Sequence, residues 1–170
     1  MKIRYSDIGV FLEPGRMFVS DRPVLVKTIL GSCVAVCLYD PRRRVGGVNH
    51  YLLAYPGKND VGDGGRYGST SLQMLIDRIQ DAGAQLPQLR AVVVGGGRPV
   101  GSDRGPQVGE GNRQVALDVL RRFGIPILRE ETGGEFGRRL FFNTGTGEVI
   151  VSIIAPSYVQ AAGTFDRRRP

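Results

Sequence analysis

Apolar and polar positions change their period several times along this chain, and each change marks a predicted element. RMFVSD (16–21) and VLVKTIL (24–30) are short β-type runs separated by Pro23. CVAVCLYD, from Cys33 to Asp40, is apolar and β-branched, and Asp40-Pro41 ends it too early for a helix, so it predicts a buried strand. Arg42 to Gly47 then predicts a basic turn and VNHYLLAY (48–55) the hairpin partner. The pattern lapses over Pro56–Gly68, a glycine-rich polar loop of a length that is more often functional or mobile than neutral.

Helical spacing follows from Thr70 to Ala82. Leu72, Leu75, Ile76 and Ile79 make an inward stripe, Thr70 and Gln73 spell a capping box, and Gly83 stops the helix. LRAVVV (89–94) predicts a buried strand running into Gly95-Gly96-Gly97. A second helix is expected from Asn112 to Phe123, with Val115, Ala116, Val119, Leu120 and Phe123 on one face and Gly124 as its stop. IPILRE (125–130) reads as a strand, and RRLFFN with EVIVSII as a terminal hairpin around Thr144–Gly147. From Ala155 the chain turns polar and basic, so 156–170 is expected to be a loose tail. The pattern predicts an α+β fold in a single domain over 1–170: a mostly antiparallel sheet with two main helices packed on it.

Composition narrows the class. The 170 residues, 41% of them hydrophobic, suffice for a real core without disulfides or structural metal. No segment approaches the roughly 20 continuous apolar residues of a membrane helix. MKIRYSDIGVFLEPG is interrupted by Asp7, Gly9 and Glu13 and does not read as a secretory signal, so a cytoplasmic protein without membrane insertion is expected. Cys33 and Cys37 on one strand would lie about 13 Å apart, beyond disulfide reach. The net charge of +7 suits either a solubilising surface or an acidic partner. Arg42–Arg44 and Arg167–Arg169 are isolated triplets without interleaved aromatics, which argues against nucleic acid and for a protein partner.

Candidate chemistry centres on Cys33 and on His50, the only histidine, seventeen positions later. A free cysteine is commonly a small buried hydrophobe, and Cys37 fits that role between Val36 and Leu38. Cys33 follows Gly31-Ser32, a sharp turn that would present its sulfur and aim backbone N–H groups at a developing oxyanion. A lone histidine is often structural, so core packing and a Cys33–His50 dyad both remain open on residue type alone. The small residues of Gly46-Gly47-Val48-Asn49 would let something approach closely. GGGRPVG has Val100 where G-x-G-x-x-G needs its third glycine, so a strand-end turn is preferred to a nucleotide loop. One histidine and two cysteines cannot assemble a tetrahedral metal site, and Asp60 and Asp63 read as loop polarity.

LGSCVAVCLYDP with GGVNHYLL behind it, then GRYGSTSLQMLI, VVVGGG, VGEGNRQVAL and EETGGEFGRRLFFNTGTGEV in that order, resemble the CheD family of chemoreceptor glutamine deamidases over roughly residues 15–155. The resemblance implies an α/β sandwich like that of toxin-type Cys–His deamidases. It implies deamidation of glutamines on methyl-accepting chemotaxis receptors, without a cofactor, and pairing with the chemotaxis phosphatase CheC. Its nucleophile falls on Cys33, with Gly31 and Ser32 supplying the oxyanion turn, and its base on His50. The family's third site residue, a threonine six positions before the cysteine, falls on Lys27; Thr28 comes next and in a strand faces the other way. Two other functions suit the same residues: a receptor glutamyl methylesterase using the same dyad, and a non-catalytic module that binds receptors or CheC.

Overall fold

A computed structural model describes residues 9–58, 60, 63–98 and 107–155. Nine strands and two helices are defined among them: β1 (Val10–Phe11), β2 (Met17–Ser20), β3 (Leu25–Leu30), β4 (Val34–Asp40), β5 (Val45–Asn49), α1 (Gly68–Asp81), β6 (Arg90–Gly95), α2 (Gln107–Arg122), β7 (Ile127–Thr132), β8 (Gly137–Asn143) and β9 (Val149–Ile154).

The α+β class and the two helices are present, but the strands form two sheets rather than one. One sheet has the order β1-β3-β8-β9 and the other β2-β5-β4-β6-β7. Hairpin neighbours pair antiparallel, as the short connections require; β1 with β3 and β6 with β7 pair parallel. The β6–β7 pair is parallel because α2 intervenes, and a crossover of helical length returns the chain in the same direction. Apolar period alone carries no information about that return.

β4 explains the layering. Its residues alternate between two cores: Val34, Val36 and Leu38 pack with Leu72, Leu75, Ile76 and Ile79 of α1 and with Val115, Ala116 and Leu120 of α2. Ala35 and Cys37 face the other way, onto Val26, Leu30, Leu140 and Phe142 of the four-stranded sheet. The five-stranded sheet is therefore the middle layer, buried on both faces, which is why CVAVCLYD shows no polar alternation. Each fully buried leucine or isoleucine of the α1 stripe contributes about 1.5–3 kcal/mol.

Several predicted boundaries move. β5 starts at Val45, so the turn shrinks to Pro41–Arg44, and it ends at Asn49; beyond it only Tyr51 and Leu53 form isolated bridges. The cause is contact with the chain itself: a side chain at Gly46 would meet the Thr144 backbone at 2.6 Å, and one at Gly47 would meet Val19 at 3.0 Å. What approaches these glycines is the protein's own core. α1 begins at Gly68, two residues early, because Gly68 fits against Tyr51 and Val115 where a Cβ would lie 2.5 Å from Val115 Cγ1. The capping box is not made; the Thr70 hydroxyl donates to the Gly64 and Tyr67 carbonyls, and Gln73 pairs with Asp77. Asp63 caps the Gly64–Arg66 turn by accepting from the Gly65 N–H, a role beyond polarity. α2 begins at Gln107, five residues before the expected start at Asn112, and β7 is shifted to 127–132. The tail at 156–170 lies outside the described residues. Among the described residues no helix is long and apolar enough to cross a membrane.

Candidate active site

Cys33 immediately precedes β4 and His50 immediately follows β5. Cys37 pairs with Val48 in the named ladder, and the same register resumes at Val34–Tyr51, whose N–H groups donate to each other's carbonyls at 3.2 and 3.0 Å. That register sets Ala35 opposite His50 and Cys33 opposite Leu52. Cys33 and His50 are thus diagonal neighbours on one face, with backbones about 7–8 Å apart and Cβ atoms somewhat closer. The face is the one that looks toward the four-stranded sheet, since Ala35, Cys37 and Val48 pack there and Cys33 packs against them.

Between the two register segments Asn49 substitutes for backbone. Its Oδ1 accepts from the Val36 N–H at 2.9 Å and its Nδ2 donates to Ser71 on α1 at 2.9 Å. The His50 backbone is held on its other side: its N–H donates to Arg16 O at 2.9 Å and its carbonyl accepts from Gly15 N–H at 2.7 Å. The imidazole therefore starts from a fixed Cα.

Thr28 reaches this imidazole from the facing sheet. Burial alternates along β3, with Lys27 half-buried and Thr28 fully buried. Thr28 Oγ1 lies 2.8 Å from His50 Nδ1 and 2.7 Å from the Leu12 carbonyl. A hydroxyl has one hydrogen, and a carbonyl only accepts, so Thr28 donates to Leu12 and accepts from Nδ1–H. This chain of bonds assigns the tautomer: Nε2 carries the lone pair, and among the described residues it has no hydrogen-bond partner. Lys27 points to the opposite face, with its ammonium 6.0 Å from the centre of the Phe141 ring.

Burial pushes the His50 imidazole down to about 4, with the Leu12 carbonyl opposing the shift. The sign for stability follows. The unfolded chain takes up a proton near the ordinary value of 6.5, whereas the folded chain resists it until about 4. Stability is full above that window, falls as pH drops from 6.5 to 4, and the total loss from this group is about 3 kcal/mol. Urea midpoints measured across pH 4–7 are expected to slope less in His50→Gln than in the unaltered protein.

The Gly31-Ser32-Cys33 turn is held by its three carbonyls. Gly31 O accepts from Gly97 N–H at 2.8 Å, Ser32 O from Asn112 Nδ2 at 2.9 Å, and Cys33 O from Gly96 N–H at 2.8 Å. In a trans peptide the N–H points opposite to the C=O, so the Ser32 and Cys33 N–H groups are aimed away from these anchors. Gly95-Gly96-Gly97 is thus a strand-end turn that anchors the cysteine turn. Gly95 and Gly96 have φ of 114° and 60°, and Gly109 of α2 packs on the Gly96 and Gly97 backbone, where a Cβ would lie 2.5 Å from Gly96 O. Cys33 is partly accessible, and Cys37 is buried, with burial raising its thiol far out of the reactive range.

Asn112 is the site residue that sequence reading assigned only to a helix start. It is fully buried, and its Nδ2 also donates to Leu52 O at 2.8 Å, so one amide ties both strands that bear the dyad. A signal was present: Asn112 occupies the stripe that continues as Val115, Ala116 and Val119, where a polar residue needs a buried partner. Asn112→Ala leaves two carbonyls dry and is expected to cost about 1–3 kcal/mol or more, read from chemical denaturation. Among the described residues no group of three His, Cys, Asp or Glu is placed to hold a metal ion.

Comparison with known proteins decides the family. Residues 52–153 match the family model described as CheD chemotactic sensory transduction. The chain belongs to the CheD family. A relative from Rhodospirillum rubrum, named probable chemoreceptor glutamine deamidase CheD, is 41% identical over 92% of this chain and 85% of its own. One from Anaeromyxobacter dehalogenans, named probable chemoreceptor glutamine deamidase CheD 1, is 40% identical over 81% of this chain and 80% of its own. One from Agrobacterium fabrum, with the same name as the first, is 43% identical over 73% of this chain and 67% of its own. Among solved structures, the Bacillus licheniformis hypothetical protein YfiH overlaps 68% of this chain and 49% of its own at 18% identity with a TM-score of 0.37.

Proposed function

We propose that this chain deamidates glutamine side chains of chemotaxis receptors through a Cys33–His50 dyad oriented by Thr28. Membership of the CheD family and the names of its relatives support the reaction class. One observation carries the mechanism: the Thr28 bond holds Nδ1–H of the buried imidazole, so its Nε2 lone pair, without a hydrogen-bond partner among the described residues, lies on the sheet face that Cys33 shares.

In this scheme His50 Nε2 takes the thiol proton as Cys33 Sγ bonds to the side-chain amide carbon of the glutamine. Burial disfavours a standing imidazolium, so the proton moves as the substrate carbonyl arrives. The tetrahedral oxyanion sits against the Ser32 and Cys33 N–H groups of the turn that begins at Gly31. His50 returns the proton to the departing nitrogen, the C–N bond breaks, and ammonia leaves a thioester. Neutral His50 then deprotonates water, the hydroxide adds to the thioester carbon, the C–S bond breaks, the imidazolium returns its proton to Cys33 Sγ, and glutamate is released. Thr28 holds Nδ1–H throughout, which keeps Nε2 the exchanging atom. These groups and water balance every step.

The same reading makes the chain one deamidase domain of toxin-type Cys–His sandwich architecture, acting in the cytoplasm, with CheC as a second partner. Intact mass of a receptor cytoplasmic fragment tests the reaction. The mass gain of an NH₂-to-OH exchange is expected with the unaltered protein, together with ammonia. Methanol release from methylated receptor without that gain would reassign the dyad to ester hydrolysis.

A further inference from the structure

Arg138 lies outside the proposed dyad but at the same end of the interior. It pairs across the sheet with Leu30, the residue before Gly31, and with Ile153 on the other side. Its side chain shares the inward face of β8 with Leu140 and Phe142, and only 8% of it is exposed. The position a Gly97 side chain would take is 3.4 Å from Arg138 Nη1, so the guanidinium sits against Gly97, whose N–H holds Gly31 O at 2.8 Å in the turn that presents Cys33. Two loops enclose it, tied together by Gly133 N–H to Gly95 O at 3.0 Å and Arg98 N–H to Gly134 O at 2.7 Å.

This cation is short of partners. Among the described residues, Arg138 Nε and Nη1 are buried with no hydrogen bond. The acid that acts on it through space, Glu131, is bound to Arg129 at 3.2 Å. Guanidinium is not relieved of its charge at working pH, and an unbalanced buried cation costs several kcal/mol. A water molecule would satisfy N–H groups without balancing charge. The acceptor that does both is a carboxylate.

We propose that Arg138 forms a carboxylate subsite beside the Cys33 turn, filled by an acidic side chain of the receptor segment that carries the target glutamine. This rests on the deamidase reading and adds what the substrate must contain. Arg138 is then a specificity residue, and the excess of basic over acidic groups in the chain favours the approach of an acidic segment.

Equilibrium binding in a Cys33→Ala background tests it apart from catalysis. The probe is a receptor cytoplasmic fragment, compared with the same fragment after acidic residues flanking its glutamines are changed to amides. Arg138→Met is expected to weaken binding of the acidic fragment about 10- to 100-fold and to abolish the difference between the two fragments. Arg138→Lys should restore part of that difference. With Cys33 present, KM should rise while kcat holds. The Tm of Arg138→Met should not fall, since an apolar side chain replaces an unbalanced charge. Equal weakening for both fragments, or a lower Tm with the fragment preference intact, would overturn the subsite. So would acetate binding that requires Arg138 while the fragment's acids make no difference, because the ligand is then a free anion. If fragment preference depends on Arg138 but no ammonia is ever released, the deamidase reading fails and the subsite stands.

Discussion

Cys33→Ala is expected to lower ammonia release from receptor glutamine by at least about 10³-fold, with the protein still folded. The reasoning is positional. Cys33 is partly accessible and packs against the inter-sheet core, so truncation removes little buried surface. Its anchors are backbone carbonyls held by Gly96, Gly97 and Asn112, which alanine leaves intact. The nucleophile alone disappears. Cys37→Ala is the matched control: Cys37 is fully buried, its thiol is held neutral, and its loss should be felt in stability rather than turnover. A Cys33→Ala protein that retains activity while Cys37→Ala does not would remove the proposed nucleophile from the mechanism.

The second large effect is expected at Thr28. Thr28→Val keeps the shape and deletes the hydroxyl that joins Leu12 O to His50 Nδ1. Both buried groups then lack their partner, a cost of about 1–3 kcal/mol in stability. Nothing thereafter favours the tautomer with its lone pair at Nε2, and kcat is expected to fall about 10²-fold. Thr28→Ser restores the hydroxyl and should recover most of the rate. Lys27→Thr, by contrast, changes a half-buried residue on the far face and should leave kcat within about twofold. If Lys27→Thr raises turnover strongly while Thr28→Val is silent, the imidazole is oriented by something other than the observed bond.

Sequence and structure divide at identifiable residues. The Gly-Ser turn, the apolar run after Cys33 and the solitary His50 are local, so residue type and spacing were enough to single them out as candidates. The helix stripes were legible for the same reason: Leu72, Leu75, Ile76 and Ile79 repeat at the period of the helix and all are buried. Boundaries were less so, because Gly46, Gly47 and Gly68 are placed by close contacts with residues remote in sequence. The partition into two sheets was also hidden, since β2, β3, β8 and β9 read as strands whichever sheet they join, and the two-residue β1 (Val10–Phe11) is too short to show a period.

By itself the sequence determined the element types, the identity of the one available imidazole and the family likeness, all of which depend on neighbours along the chain. Tertiary structure decided which face of β3 meets His50, and therefore that Thr28 rather than Lys27 bonds it. It also decided that Asn112 ties Ser32 to Leu52 and that Arg138 Nε and Nη1, buried beside Gly97, have no hydrogen-bond partner among the described residues. Each of these joins segments far apart in the chain through a hydrogen bond or a burial that only packing two sheets and a helix together creates. A one-residue change of strand register would turn Thr28 and Arg138 to the opposite face.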